Sequence, residues 1–259
     1  MKRARFVAFL IAGIFFLAIC AGTVSAPLAG YSITVYKAST TPTIDGKWTT
    51  ETEWDDAATG IISDDAIFRI KWNQADQVYD NFIVEFFSDN TNDAEDYVRI
   101  CYDVSANGGI VVGTDDVRVD YVGHGASAQV NTYVGGGIGW GSGLLTGITV
   151  EDSLDVSKLH GSPHWITEFK IAKDENGIDV NNAIRVSVYD ASNSSAGEIA
   201  WPPTGLEQPV DWGDAPQSSS EIPEGIGLFT LVIIMSVAVL VGSLCGRKRS
   251  KLGKLTHSS

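Results

Sequence analysis

Along the middle of the chain, apolar and polar residues trade places at every second position. Val117, Val119 and Tyr121 alternate with Arg118 and Asp120, Phe68, Ile70 and Trp72 with Arg69 and Lys71, and Ile184, Val186 and Val188 with Arg185 and Ser187. A strand turns successive side chains to opposite faces, so this period of two predicts strands with one face in a core and the other in water. Segments of the same character, rich in Val, Ile, Phe, Tyr and Trp and bounded by turn residues, are expected as strands at 32–36, 66–72, 81–87, 97–104, 117–122, 129–134, 165–171 and 184–189. Glycines fill the connections, notably Gly108-Gly109 and the stretch 135–143, and no helical period survives beyond a turn or two between the termini. The expected fold class is all-β: one antiparallel β-sandwich domain over 27–201.

The pattern changes at both ends. Lys2, Arg3 and Arg5 precede an uncharged run from Phe6 to Cys20 that closes on Val24-Ser25-Ala26, the order of a secretory signal peptide over 1–26. Pro27 is unfavourable beside that cut, so cleavage after Ala29 is the alternative, and a retained N-terminal helix is the plainer one. At the other end, 226–245 carries no charge and is followed by Arg247, Lys248, Arg249, Lys251 and Lys254. About 20 apolar residues span the hydrocarbon core and basic clusters stay in the cytoplasm, so a transmembrane helix at 226–245 and a cytoplasmic tail at 246–259 are expected. Pro202, Pro203, Pro209, Pro216 and Pro223, set among Gly, Ser and acidic residues, make 202–225 read as a semi-rigid stalk. The expected location is the cell membrane, with the domain outside.

Charge narrows the partners. Ten of the 18 Lys and Arg but 31 of the 32 Asp and Glu fall within 27–223, a net charge of −21 there. That excess repels nucleic acid and anionic lipid, favours cations or neutral partners, and also serves plain solubility. Cys20 and Cys245 lie in the terminal segments, which leaves Cys101 alone in the domain without a disulfide partner. Stability must then come from the core or from bound ions, with Cys101 expected inside as a small apolar residue.

Thr43-Ile44-Asp45-Gly46-Lys47 followed by Glu53-Trp54 resembles the opening of family 9 carbohydrate-binding modules and the related DOMON-like sandwiches. His164-Trp165-Ile166-Thr167-Glu168-Phe169-Lys170-Ile171 is similar to the late W-x-x-E-x-x-I strand of that group, and 184–190 with Trp201-Pro202 resembles its closing strand. The resemblance implies a β-sandwich in which Trp54 packs beneath the sheets, and a binding role without catalysis. Together with the C-terminal apolar segment, the chain resembles exported archaeal surface proteins, and Pro223-Glu224 looks like an archaeosortase signal, except that Gly225 stands where Phe follows in the best-known version. Some DOMON relatives bind haem through methionine and histidine. Here the methionines are Met1 and Met235, in the terminal segments, so no haem is expected.

The candidate chemistry is that of binding. Sugar rings stack on exposed aromatic faces, and Trp140, set among Gly135, Gly136, Gly137, Gly139, Gly141 and Gly143, has no apolar pattern around it to bury it. It reads either as a ligand platform, with Tyr133 at the base of the loop, or as a plug folded back over the sandwich. Asp89, Asp93, Glu95 and Asp96 place carboxylates at spacings that suit calcium, without the glycine of an EF-hand, since Ala94 stands there; an acid-rich turn is the other reading. His160 and His164 share an H-x3-H spacing, but Gly161 and Pro163 oppose the helix that makes it converge on zinc. Gly141-Ser142-Gly143 lacks the outer glycines of a nucleophile elbow, so no enzyme is expected. These features favour a surface-anchored module that binds a glycan or another extracellular ligand. The alternatives are a structural envelope component without a small ligand and an extracellular sensor or redox subunit.

Overall fold

The computed structural model describes residues 30–220, so the expected signal peptide, transmembrane helix and basic tail lie outside the described residues. Twelve strands form two antiparallel sheets. The five-stranded sheet runs β1 (Ala58–Ser63), β2 (Ala66–Gln74), β3 (Val78–Phe86), β9 (His164–Ala172), β8 (Ile148–Asp155). The seven-stranded sheet runs β11 (Ile199–Trp201), β10 (Ala183–Tyr189), β4 (Tyr97–Asp103), β5 (Val117–Val122), β6 (Gln129–Gly135), β7 (Trp140–Ser142), and β12 (Gly213–Asp214) also pairs with β10.

The period of two reports the inner faces faithfully. Phe68, Ile70, Phe82 and Phe169 of one sheet meet Ile100, Tyr102, Val119 and Ile184 of the other in a continuous buried core. Each such side chain contributes roughly 1.5–3 kcal/mol when fully buried, and the core needs no disulfide.

Over the central strands the outer faces are covered, contrary to the expectation from alternation, while the edge strand β8 keeps Thr149 and Glu151 exposed. Over the five-stranded sheet, Trp54 and Ala57 pack with Ile83 and Ile166 in a second buried cluster. Beneath that cover Lys71 is fully buried, its Nζ 2.9 Å from Asp56 Oδ1 and donating to Thr40 O at 3.0 Å. Over the seven-stranded sheet, Trp212 packs with Cys101, Val112 and Ala183 in a third cluster. The stalk reading of 202–225 is therefore corrected as far as Ser220. Trp212 and Ala215 are buried and Gly213 pairs with Ile184, because the two apolar side chains and a two-residue strand anchor a stretch whose composition alone suggests a linker.

The strand expected at 32–36 is instead a run of isolated parallel bridges, Ser32 with Asp214, Val35 with Gln217 and Lys37 with Trp72. Pro216 lies within the partner segment and has no N–H to donate, so the ladder cannot run on. β8 is absent from the sequence reading for another reason. Its Glu151, Asp152 and Asp155 blur the apolar signal of a strand that sits at a sheet edge, where charge is an advantage.

Candidate functional site

On the outer face of the seven-stranded sheet, neighbouring strands line up charged and aromatic side chains in rows. Arg185, Cys101, Arg118, Tyr133 and Ser142 are successive partners across β10, β4, β5, β6 and β7, and Arg99 is opposite Asp120 in the next row. Asp120 accepts from the guanidinium of Arg99, with Nε 2.8 Å from Oδ1, and from that of Arg118. Glu198 accepts from Arg99 Nη1 at 3.1 Å and from Arg185 Nη1 at 2.5 Å. Three of the domain's few cations thus share two carboxylates, and this patch is basic on an otherwise acidic domain. Burial pushes the Cys101 thiol up to about 12, which leaves it an inert member of the layer.

Trp140 and Tyr133, both singled out from sequence, meet here. The Arg118 guanidinium carbon lies 4.3 Å from the Tyr133 ring centroid and 5.8 Å from that of Trp140. Trp140 is half-buried and lies parallel to the buried Trp212, with centroids 6.2 Å apart and planes 2° from coplanar. The ring is therefore neither free on a glycine loop nor a plug at the end of the sandwich. It is seated on the sheet face by β7. Its Nε1–H is buried and has no hydrogen-bond partner. Such an orphan donor calls for an acceptor, which a ligand oxygen could supply once the half-buried ring shifts to open the N–H.

The acidic turn 89–96 is divided by the fold. Glu95 is exposed, and Asp93 receives the Thr91 hydroxyl at 2.8 Å. Asp89 and Asp96 are buried and face His124, whose Nε2 is 3.3 Å from Asp96 Oδ2 and 3.7 Å from Asp89 Oδ2. Burial works against the charged imidazole, but the carboxylates of Asp152 and Asp89 outweigh it and push His124 up to about 9. The imidazole stacks on Trp165 at 3.7 Å and 7°.

A second set of oxygens went unnoticed in the sequence. Asp103, Asp115 and Asp116 bring one carboxylate oxygen each to within 4.8 Å of one another. Ser105 Oγ and Asn107 Nδ2 donate to Asp115 Oδ2 at 2.7 and 2.8 Å, while Asp103 accepts the backbone N–H groups of Asn107 and Gly108. Asp116 Oδ1 is buried without a partner, and burial, with Asp103 and Asp115 beside it, pushes the carboxyl up to about 7. The signal was present: 103–108 reads D-x-S-x-N-G, close to the start of a calcium loop, and Gly108 takes φ +65° where that loop turns. An all-oxygen set of this kind suits a hard cation such as calcium.

No family model matches this sequence, and no curated protein does. Among solved structures the fold is similar to a family 9 carbohydrate-binding module from Caldicellulosiruptor kristjanssonii in complex with cellotriose, at 17% identity and TM-score 0.50, over 74% of this chain and 96% of that one. The same module in complex with glucose matches at 17% identity and TM-score 0.50, over 75% of this chain and 99% of that one. The cytochrome domain of Myriococcum thermophilum cellobiose dehydrogenase has 11% identity and a TM-score of 0.33 over 62% and 83% of the two chains, too slight a likeness to support an argument. The first two establish a shared sandwich fold.

Proposed function

We propose that the domain is a non-catalytic carbohydrate-binding module that holds its glycan on the outer face of the seven-stranded sheet, against Trp140 and Tyr133. The observation that carries this reading is the half-buried Trp140 ring seated beside Tyr133 and Arg118 on the sheet face, with an Nε1–H that has no partner within the described residues. A pyranose offers what this group lacks, a hydroxyl acceptor together with an apolar ring face. The fold likeness to modules solved with cellotriose and glucose supports carbohydrate as the ligand class. The test is a glycan array, neutral and acidic, probed with the full chain and with Trp140→Phe and Trp140→Ala. Binding lost in Trp140→Phe, which keeps a ring and removes the N–H, supports the proposal. Silence of the parent chain across the array favours a structural envelope role.

The terminal segments motivate a second part of the proposal: export, and anchoring to the cell membrane by 226–245 with the domain outside, in the manner of archaeal surface proteins. Truncation before Ile226 is expected to release the protein into the medium, and retention on the membrane would count against the anchor. Mass spectrometry of the C-terminus tests the resemblance of Pro223-Glu224 to a sorting signal, since processing removes the basic tail.

A further inference from the structure

We infer that Asp89, Asp96 and His124 form a site for one divalent cation of the zinc(II) class, with a coordination position left open to the pocket beside Trp165. His124 Nδ1 is 2.9 Å from Asp152 Oδ2, and Asp152 also receives the Tyr121 hydroxyl at 2.8 Å. A carboxylate on one ring nitrogen keeps the proton there while a cation displaces the proton of the other and takes up its lone pair, the arrangement that orients metal-binding histidines. That other nitrogen, Nε2, belongs to a side chain 5% exposed, is itself buried, and has no hydrogen-bond partner.

The spacing around Nε2 is that of co-ligands. A charge-assisted hydrogen bond closes to about 2.7–2.9 Å. Two donors each about 2.0–2.1 Å from a tetrahedral ion stand about 3.3 Å apart. The Oδ2 atoms of Asp96 and Asp89 lie 3.3 and 3.7 Å from Nε2. Their other oxygens are held elsewhere, Asp89 Oδ1 by the Thr91 N–H at 3.1 Å and Asp96 Oδ1 by the Ala191 N–H at 2.7 Å, which turns the Oδ2 atoms toward the imidazole; Asp96 Oδ2 also accepts the Asp93 N–H at 3.1 Å and keeps a lone pair for an ion.

Charge and donor type select the ion. The side chains of Asp89, Asp96 and Asp152 are all buried around one imidazole, so a single proton leaves two negative charges uncompensated where a dication leaves one. Calcium and magnesium prefer oxygen throughout, whereas an imidazole nitrogen with two carboxylates suits zinc and its neighbours. Three protein ligands leave a fourth position, and the three residues line a small pocket, with room for about one water molecule, that also takes in Trp165, Tyr97 and Tyr189. Water or a ligand oxygen would occupy it.

The experiment is a titration of the chelator-stripped full chain with zinc(II) in excess calcium, read by calorimetry and by metal analysis after gel filtration. One zinc per chain that calcium does not displace is expected, and cobalt(II) in its place gives a visible absorption band. His124→Gln should lose the tight site, and Asp152→Asn, which touches no metal, should weaken it about 10- to 100-fold. His160→Gln, a change at another histidine, should bind as the parent does. No retained zinc in the parent chain would overturn the proposal. So would unchanged affinity in a His124→Gln or Asp89→Asn variant that melts like the parent, or displacement of zinc by calcium.

Discussion

Trp54 donates its indole N–H to Glu168 Oε1 at 3.0 Å, across 114 positions of the chain. The other oxygen of the same carboxylate receives the backbone N–H groups of Asp45 and Gly46 at 2.9 and 3.0 Å. The two sequence signatures, Ile44-Asp45-Gly46 with Trp54 and Trp165 with Glu168, therefore close on each other. One buried carboxylate ties the N-terminal cover to the five-stranded sheet.

Burial, with Glu53 as a like-charged neighbour, pushes Glu168 up to about 8 against its three N–H donors. A carboxyl whose folded pKa lies above its unfolded value near 4.5 keeps its proton after the unfolded chain has released it. Native protein then binds more protons than unfolded protein between those two values, so this group lowers stability as pH rises from about 4.5 to about 8, by at most roughly 1.4 kcal/mol per pH unit. Urea midpoints measured across that range should fall, and Glu168→Gln should flatten the slope. An equal slope in the variant would remove Glu168 as its source.

Gly46 stands in this knot with φ +74°, and a Cβ built on it would lie 2.4 Å from the backbone carbon of Asp152. Backbone cannot yield as a side-chain tip can. Gly46→Ala is expected to cost about 2 kcal/mol or more through left-handed strain and the clash together. A denaturant melt within about 0.5 kcal/mol of the parent would contradict the fit.

Trp212 is fully buried beneath the excursion that follows β11, and half-buried Trp140 lies parallel to it. Trp212→Ala should cost about 3–5 kcal/mol as a cavity opens, and Trp140→Ala about 1–3 kcal/mol. Thermal melts of the two variants should keep that order. The reverse order would mean that Trp140, not Trp212, holds the C-terminal cover in place.

Calcium should stabilise the chain through Asp103, Asp115 and Asp116. Binding to the native state alone adds about 2.7 kcal/mol at a hundredfold excess over Kd. Asp116→Asn separates the ion from the fold, because removing one of three crowded carboxylates should raise Tm in chelator while abolishing the gain with calcium. A parent Tm equal in calcium and chelator would eliminate the site.

Local chemistry made much of this protein readable in advance. The alternation of Val117, Val119 and Tyr121 with Arg118 and Asp120 determined which side chains enter the core, because strand geometry turns neighbours to opposite faces whatever the rest of the chain does. The same alternation is silent about what lies over the second face. Only the tertiary structure decided that Lys71 is buried under the segment carrying Trp54, that Cys101 packs with Trp212, and that Arg99, Arg118 and Arg185 share Asp120 and Glu198. It also decided that Asp89 and Asp96 turn inward to His124 and that Asp103 meets Asp115 and Asp116. Each of these depends on chain segments brought together from separate positions. A periodic signal spans a few residues, whereas a cover, a cation cluster or a ligand face is assembled by pairings the period does not specify.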